Sequence, residues 1–406
     1  MRDSTSKMTA EVPLSASYHL RVPQKPETSA ITAGRDLSRS LTPAIWPSTV
    51  WESDSLHDAT KRATGARSDT FYSRFANPTV SQFERAIAEL EGAESALAFG
   101  SGMGAISSVV LALCSSGSHV VAQNNMYGAT LSFLLGPCAR LGIETTLVDP
   151  NVPGAFAAAV IPGRTMLVLA ETPSNPRLAI TNLAEVGAIK GPFVVVDSTL
   201  ATPMGQRPLD FGVDIVLHSA TKGIGGHNDA LLGVIGGEKD LIESVWHYSV
   251  MHGAVASPYD AANALRGIRT LGVRTARQNE TALAFARTLE SHPKIASVAH
   301  PFLDSHPQHT IAKEQMRLGG SIVAVEIRGA FEQCQTFVSA LRLAHIATSF
   351  GGPETLVCHP ATSTHVGLPK ETLETIGVTD GLLRFSIGLE DATDLIDDVV
   401  NALSFL

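Results

Sequence analysis

The chain has 406 residues, of which 44% are hydrophobic and 17% are charged, so it is long enough for two or three domains and too apolar for wholesale disorder. Its formal net charge is −9, from 30 Lys and Arg against 39 Asp and Glu, which argues against a nucleic-acid-binding protein. The four cysteines lie far apart without a CxxC pair, so neither a disulfide framework nor a zinc site is indicated.

No segment of the sequence has the pattern of a targeting signal or a membrane span. The N-terminal residues mix charges with hydroxyl groups and have no apolar stretch of the kind found in secretory signals. The longest apolar runs fall well short of the ~20 residues that a transmembrane helix needs. We therefore expect a cytoplasmic protein that has no membrane partner.

The predicted elements begin with an arm over residues 1–60, which is rich in Ser, Thr and Pro and shows weak periodicity. From residue 93 onward, short apolar runs alternate with segments long enough for a helix. Such runs are typical of strands buried on both faces, and this alternation indicates a largely parallel sheet. The predicted strands are residues 95–99, 119–121, 145–148, 165–170, 193–196, 214–217 and 231–235. The sequence therefore predicts one doubly wound α/β domain over residues 61–258.

The pattern changes after the last of these strands, because helices and strands no longer alternate. A helical spacing of apolar residues covers 261–290, and strand-like segments cover 320–327 and 382–387. An amphipathic segment closes the chain at 392–406. A smaller α+β domain is therefore predicted over residues 259–406.

Ligands of open α/β sheets bind beyond the carboxyl ends of the strands, so the residues that follow each predicted strand are the candidate site positions. The first strand is followed by Gly-Ser-Gly-Met-Gly (residues 100–104) and a helix-compatible stretch. Such a turn lets an anion approach the backbone N–H groups of a helix N-terminus. It matches neither GxGxxG nor GxxxxGK[ST], which disfavours dinucleotide and P-loop sites. A turn without a ligand is the alternative.

An acid and a lysine follow two other predicted strands. Asp197 is either the N-cap of the next segment or a carboxylate that faces a cationic ligand atom, because an unpaired buried acid is costly. Lys222, in the sequence Ser-Ala-Thr-Lys, is either a surface lysine with a buried stem or a Schiff-base amine with a lowered pKa. Acyl-enzyme hydrolases share the SxxK pattern, but their KTG and SDN motifs do not occur in this sequence.

Together, the glycine turn, Asp197 and Lys222 fit one cofactor. Pyridoxal 5′-phosphate (PLP) needs a lysine for its Schiff base, a carboxylate for its pyridine nitrogen and a site for its phosphate group. All three features lie at predicted strand ends, and one strand-to-strand excursion separates Asp197 from Lys222. The sequence therefore predicts PLP as the cofactor, and no metal.

Further motifs extend over roughly residues 30–406. They include Tyr72-Ser73-Arg74, Asn77-Pro78-Thr79, Ser101-Gly102-Met103, Tyr127-Gly128, Pro173-Ser174-Asn175-Pro176, Asp197, Ser219-Ala220-Thr221-Lys222, Ser257-Pro258, His359-Pro360-Ala361 and Arg384. In these motifs the sequence resembles the Cys/Met-metabolism (trans-sulfuration) family of PLP enzymes, which includes cystathionine γ-synthase, cystathionine γ-lyase, methionine γ-lyase and O-acylhomoserine sulfhydrylase. The resemblance implies the aspartate-aminotransferase-like fold type I, with a large domain around a seven-stranded, mostly parallel sheet and a smaller α+β C-terminal domain.

The resemblance also implies which residues hold the cofactor. Lys222 is similar to the family's Schiff-base lysine, and Asp197 to the residue that binds the ring nitrogen. The other cofactor-binding residues implied are Ser101, Gly102, Met103, Asn175, Ser219 and Thr221, with Tyr72 and Arg74 reaching the phosphate from the neighbouring subunit. Tyr127 is expected to stack on the ring and to protonate a leaving group.

For the substrate, the resemblance implies that Arg384 clamps the α-carboxylate with help from Ser349, and that Tyr72 lies close by. The shared site implies a homodimer or homotetramer, in which residues 1–60 contact the neighbouring subunit. Thr348 stands where cystathionine enzymes usually carry Glu, and Gly223 replaces the usual aromatic residue after the lysine, which enlarges the space near the cofactor.

The reaction implied is γ-replacement or γ-elimination on a homoserine- or methionine-derived amino acid, with a thiol as co-substrate in the replacement case. The alternative within the family is a β-eliminating carbon–sulfur lyase of the cystathionine β-lyase or cysteine-S-conjugate lyase type. A non-catalytic scaffold is the alternative from another class. The sequence does not identify the leaving group or the nucleophile.

Overall fold

The computed structural model describes residues 24–35, 40–367 and 370–406. Part of the predicted arm, residues 1–23 and 36–39, therefore lies outside the described residues. Within the arm, helix α1 (Pro26–Thr32) packs against its own chain, where Arg269 donates hydrogen bonds to three carbonyl oxygens of residues 30–33. The contact of the arm with a neighbouring subunit stays a prediction.

Two β-sheets organise the described residues, one with seven strands and one with five. The strands are β1 (Ser95–Phe99), β2 (His119–Gln123), β3 (Glu144–Val148), β4 (Thr165–Glu171), β5 (Phe193–Asp197), β6 (Ile215–His218), β7 (Gly233–Gly237), β8 (Ile295–Ala299), β9 (Ile322–Ile327), β10 (His345–Ile346), β11 (Leu356–Cys358) and β12 (Leu382–Ser386). The large sheet has the order β1-β7-β6-β5-β4-β2-β3, and β7 alone runs antiparallel to its neighbours. This confirms the predicted seven-stranded, mostly parallel sheet.

The helices cover both faces of the large sheet and also pack against the small one. Besides α1 they are α2 (Leu56–Thr64), α3 (Pro78–Glu91), α4 (Gly102–Leu113), α5 (Gly128–Phe133), α6 (Ala155–Ala158), α7 (Leu183–Gly187), α8 (Thr202–Gly205), α9 (Lys239–His252), α10 (Pro258–Arg269), α11 (Leu271–Glu290), α12 (His309–Gln315), α13 (Phe331–Ala340), α14 (Lys370–Thr375) and α15 (Ala392–Leu403). Helices α4 and α9 pack on one face of the large sheet and α3 and α10 on the other. None of the described helices is both long and apolar enough to span a bilayer.

All seven predicted strands of the large sheet are present, with ends within two residues of those predicted. The last of them, β7, starts at Gly233, where the chain passes very close to the start of α4. A Cβ atom on Gly233 would lie 2.1 Å from the carbonyl oxygen of Ser101. The glycines of β7 thus let α4 sit directly against the sheet, where its N-terminus faces the strand ends.

The small sheet has the order β10-β11-β12-β9-β8. Strands β9 and β12 and the closing helix α15 match predicted segments, whereas the predicted helix over 261–290 is divided into α10 and α11. The sequence missed β8, β10 and β11, because β8 is half-exposed and the other two are only three residues long or less. Although α10 lies beyond residue 258, it packs in a core of the large sheet, and the core of the small sheet begins at Ala282 on α11.

Candidate active site

The carboxyl ends of β5 and β6 bring the predicted acid and lysine to the same edge of the large sheet. Asp197 pairs in register with Leu217, the residue before the end of β6. The backbone N–H of Ser219 donates to Thr199 Oγ1 at 2.8 Å, and that hydroxyl donates in turn to Asp197 Oδ1. Thr199, which sequence reasoning missed, therefore ties the acid to the turn that carries Lys222.

Asp197 is buried, and burial raises the pKa of its carboxyl group above the ordinary value. The N–H of Thr199 also donates to Oδ1, at 2.9 Å, so Asp197 does cap the following turn. Both hydrogen bonds reach the same oxygen, so Oδ2 stays available to a cationic partner. The capping interpretation and the ligand interpretation of Asp197 are thus compatible, because they use different oxygens.

Lys222 is half-buried, and its Nζ donates to Ser349 Oγ at 2.7 Å. Burial and the nearby Arg384 guanidinium lower the pKa of Lys222 from 10.5 to about 8. The Nζ atom also lies 5.4 Å from the centre of the Phe350 ring. These surroundings are not those of a surface lysine, and they favour a neutral, nucleophilic amine.

Arg384 comes from β12 of the small sheet and is buried beside this lysine. Its Nη1 donates to Asn175 Oδ1 at 2.9 Å and its Nη2 to the carbonyl oxygen of Ser349 at 2.7 Å. Its Nε is buried without a partner in the described part of the chain. Because an unpaired buried donor is costly, the guanidinium is suited to donate a hydrogen bond to an anionic ligand.

Ser349 connects the two cationic side chains through an uncommon backbone conformation. Its φ of 80° lies in the left-handed region, which costs a non-glycine residue roughly 1 kcal/mol. In this conformation its hydroxyl faces Lys222 while its carbonyl accepts from Arg384. Backbone strain of this kind is often concentrated at functional sites.

The glycine turn forms the start of α4 beside the turn after β6. Ser101 is the N-cap of α4, and its Oγ accepts from the N–H of Gly104 at 3.0 Å. A Cβ atom on Gly102 would lie 2.8 Å from Ser219 Cβ, so these two residues are in direct contact. Two free helix N–H groups therefore lie next to the Ser219 hydroxyl, which suits an anion.

The other two residues of the predicted phosphate site are less directly involved. Met103 packs against the core of the large sheet. The Thr221 hydroxyl donates to the carbonyl oxygen of Leu232 and accepts from its N–H, at 3.2 and 2.9 Å. Within the chain, the side chain of Thr221 is therefore bonded to the backbone ahead of β7.

Tyr127 and Asn175 lie on two separate loops that a single acid holds together. The carboxylate of Glu171 accepts from the backbone N–H of Tyr127 at 2.7 Å and from that of Asn175 at 2.8 Å. Sequence reasoning missed Glu171 because the predicted strand stopped at residue 170. The same signal that marked Asp197, an acid at the end of a buried apolar run, would have found it.

Tyr72 and Arg74 are exposed and lie on the segment after α2. Arg74 donates to the carbonyl oxygen of Val250 at 2.7 Å, and its guanidinium lies 5.5 Å from the centre of the Tyr72 ring. None of their contacts among the described residues reaches Lys222, Asp197 or Arg384. Within one chain, therefore, the fold does not bring this pair to the site.

Buried polar groups under the site also escaped the sequence analysis. His218 and Glu91 form a buried pair, with His218 Nε2 2.7 Å from Glu91 Oε1. His365 is buried near the start of α5, and burial with the charge of Arg384 lowers its pKa to about 4. His365 is therefore neutral at physiological pH and adds no charge to the site.

The residues gathered here fit the PLP group implied by the resemblance. Lys222 supplies an amine of lowered pKa, and Asp197 supplies a buried carboxylate oxygen. At the start of α4, Gly102 lies so close to Ser219 that a larger side chain would fill the space in which an anion could bind. An aldehyde, a ring nitrogen and a phosphate group would each meet a matching partner at one edge of the sheet.

Comparison with known proteins identifies the family. A model of the Cys/Met metabolism PLP-dependent enzymes matches residues 27–404. An L-methionine gamma-lyase of Fusobacterium nucleatum is 38% identical over 384 residues, 93% of this chain and 97% of the lyase. A cystathionine beta-lyase of Coxiella burnetii is 39% identical over 349 residues, 84% of this chain and 90% of that enzyme.

A solved structure gives the same result. The cystathionine gamma synthase of Xanthomonas oryzae pv. oryzae in complex with cystathionine superimposes with a TM-score of 0.89 at 36% identity, over 94% of this chain and 98% of that one. The range that the family model matches, residues 27–404, includes both sheets and all the site residues named above. The chain therefore belongs to the family of PLP-dependent enzymes of Cys/Met metabolism.

Proposed function

We propose that this protein catalyses γ-replacement or γ-elimination on a homoserine- or methionine-derived amino acid, with PLP as its cofactor. One observation carries the proposal: the Lys222 amine and the Arg384 guanidinium converge on Ser349, beside the buried Asp197. This arrangement places a nucleophilic amine next to an anchor for an α-carboxylate. The relatives named methionine gamma-lyase and cystathionine gamma-synthase support the choice of the γ-carbon.

In this mechanism PLP, when bound, serves as the electron sink that stabilises negative charge on the carbon atoms of the substrate. Lys222 Nζ takes the proton from the substrate Cα, which its lowered pKa allows near neutral pH. Asp197, whose Oδ1 is already used within the chain, would hold the positively charged ring nitrogen with Oδ2. Departure of a substituent from Cβ needs only the loss of the Cα proton, whereas departure from Cγ also needs the removal of a proton from Cβ. In both cases the phenol of Tyr127 would donate a proton to the leaving group.

The same residues orient the substrate. Arg384 would bind the α-carboxylate, because its two Nη atoms are held by Asn175 and Ser349 while its buried Nε has no partner among the described residues. The backbone N–H groups at the start of α4 and the Ser219 hydroxyl would bind the phosphate group.

We also propose that the active unit is a homodimer or a homotetramer in which Tyr72 and Arg74 complete the site of the neighbouring subunit. Several large apolar side chains are exposed in the single chain, among them Leu56 at 89% and Met251 at 83%, and Met251 follows the Val250 that Arg74 contacts. Exposed apolar surface of this kind favours a contact with a second copy. Such a contact accounts for two motif residues that reach no site in their own chain.

The test is a substrate panel for the protein reconstituted with PLP. O-acylhomoserine with a thiol, methionine, cystathionine and an S-alkylcysteine are supplied separately, and the 2-oxo acid, ammonia and thioether products are measured. Turnover of the γ-substituted compounds is expected. Turnover of β-substituted compounds alone would instead support a β-eliminating carbon–sulfur lyase, in line with the 39% identical cystathionine beta-lyase. A protein that stays colourless and inactive with PLP would refute both.

A further inference from the structure

Two buried acids stand side by side at the edge of the large sheet. Glu171 ends β4 and Asp197 ends β5, and the two residues pair directly in the parallel ladder. Paired residues of neighbouring strands face the same side of a sheet, so both carboxyl groups point the same way. Both residues are buried, with 3% and 8% of their surface exposed. Such a pair is costly, because like charges repel strongly where water is excluded.

The contacts of Glu171 show what it holds in place. Its Oε2 accepts from the N–H of Tyr127 and its Oε1 from the N–H of Asn175, at 2.7 and 2.8 Å. These residues lie on the loops after β2 and after β4. The backbone of Glu171 is itself fixed by Gln123, whose side chain bonds to both its N–H and its carbonyl oxygen at 2.9 Å. A rigid strand end thus anchors both loops.

We propose that Glu171 is a positioning residue of this enzyme, which sets the distance between Tyr127 and the Asn175–Arg384 pair. Asn175 accepts a hydrogen bond from Arg384, which we propose as the anchor of the substrate carboxylate. Through Asn175, Glu171 therefore positions Arg384 on one side of the site, and through the backbone of Tyr127 it positions the phenol on the other. The inference rests on the proposed function, since it concerns residues that serve that reaction.

The choice of a glutamate follows from the geometry. Only an ionised carboxylate can accept a hydrogen bond at both of its oxygens. A glutamine would turn its NH₂ group toward one of the two N–H donors. An aspartate has the same carboxylate, but its side chain is one methylene shorter. Burial and the Asp197 charge raise the pKa of Glu171 to about 8. A cation bound at Asp197 offsets that charge and so favours the ionised form that holds both loops.

The experiment compares Glu171→Gln with Glu185→Gln in the PLP-loaded protein. Glu185 on α7 is the matched control, because it also accepts a backbone N–H, that of Gly154 at 2.7 Å, at a place outside the site. The measurements are kcat, KM, the visible circular dichroism of the bound cofactor and the unfolding temperature of the protein without PLP. Glu171→Gln is expected to lower kcat at least ~10-fold, with a smaller change in KM, and to alter the dichroism.

The unfolding temperature of the variants distinguishes a positioning role of Glu171 from a merely structural one. Without PLP the pKa of Glu171 is raised to about 8, so at neutral pH Glu171→Gln changes little charge and the unfolding temperature is expected to stay close to that of the wild type. Glu171→Asp keeps the charge without the reach and is expected to lose a similar share of kcat. The Glu185→Gln control is expected to change neither kcat nor the dichroism.

Three results would overturn the inference. They are wild-type kcat and dichroism in Glu171→Gln, wild-type kcat in Glu171→Asp, or a loss of kcat that is matched by a lower unfolding temperature in both variants. A wild-type protein that neither binds PLP nor turns over any substrate is a different result, because it overturns the proposed function itself.

Discussion

The reactivity of Lys222 depends on two neighbours that its sequence motif does not contain. Ser349 accepts a hydrogen bond from its Nζ, and the charge of Arg384 adds to burial in lowering its pKa to about 8. Relative to an ordinary lysine, that shift increases the neutral fraction at pH 7 by roughly two orders of magnitude. A lysine at this sheet edge can therefore capture an aldehyde and move a proton without a separate base.

The first prediction concerns the pH dependence of this amine. A lowered lysine pKa means that the neutral form appears as the pH rises through about 8, so the rate of covalent PLP capture should rise there and level off above. In Arg384→Gln the midpoint should move to higher pH, because the charge that favours the neutral amine is gone. It should stay below 10.5, because burial persists. Stopped-flow visible absorbance of apoprotein mixed with PLP measures the midpoint.

Arg317→Gln is the control for this measurement, since Arg317 forms an exposed ion pair with Glu27 away from the site. Its midpoint should equal that of the wild type. A wild-type midpoint near the ordinary lysine value, or an unshifted midpoint in Arg384→Gln, would contradict the assigned cause of the pKa shift.

At the scale of elements, the close contact between α4 and the strand ends builds the anion cradle. The glycines of β7 let α4 approach the sheet, and Gly102 lets the first turn of the helix touch Ser219. We propose that the large domain over 61–258 binds PLP and that the domain over 259–406 contributes Arg384.

The second prediction tests the cradle with Gly102→Ala. The added methyl group would lie 2.8 Å from Ser219 Cβ, so one of the two segments must move. Overpacking costs about 1–3 kcal/mol, and the better helix propensity of alanine returns about 1 kcal/mol. We therefore expect little loss of apoprotein stability but roughly tenfold weaker PLP binding, as a displaced helix N-terminus loses about 1.4 kcal/mol of phosphate contacts.

The measurements are a PLP titration of the apoprotein and its denaturant unfolding curve. Gly136→Ala is the matched control, because a Cβ atom there meets nothing within 4 Å and should leave PLP affinity unchanged. Equal affinities in the two variants would show that the first turn of α4 does not bind the phosphate group.

At the scale of the whole molecule, two motif residues, Tyr72 and Arg74, do not reach the candidate site of their own chain. Arg74 lies on an exposed segment held to Val250, and its neighbour Tyr72 is 39% exposed. The resemblance assigns both to the site of a neighbouring subunit. Whether the site is shared can therefore be decided by mixing subunits.

The third prediction is that Arg74→Ala and Lys222→Ala subunits complement each other at limiting PLP. In a two-fold symmetric dimer a mixed pair contains one site with both residues intact, so random mixing in equal amounts should recover about a quarter of wild-type activity. Co-refolded mixtures assayed against each parent measure the recovery. If the mixtures were no more active than the parent variants, Arg74 would not contribute to the site of a neighbouring subunit.

The matched control mixes Lys222→Ala with Arg384→Gln. Both of these residues contact Ser349 within one chain, so they belong to one site. This mixture should show no recovery, because each of its sites lacks one of the two residues.

Local patterns in the sequence were sufficient to predict the large sheet, the PLP-type chemistry and the family. A buried strand is visible as an apolar run, and a site residue of an α/β sheet stands directly after such a run, so both signals lie within a few neighbouring positions. Asp197, Lys222 and the glycine turn were predicted as site residues in this way. The half-exposed and very short strands of the small sheet lack this pattern and were missed.

The tertiary structure alone decided how these residues cooperate. Lys222 meets Ser349 across 127 positions of sequence and Arg384 meets Asn175 across 209, and Glu171 joins two loops whose sequences give no sign of the contact. Such contacts depend on the pairing of strands and the docking of the small sheet on the large one. They follow from the burial of two separate cores, a long-range property that no local spacing of residues encodes.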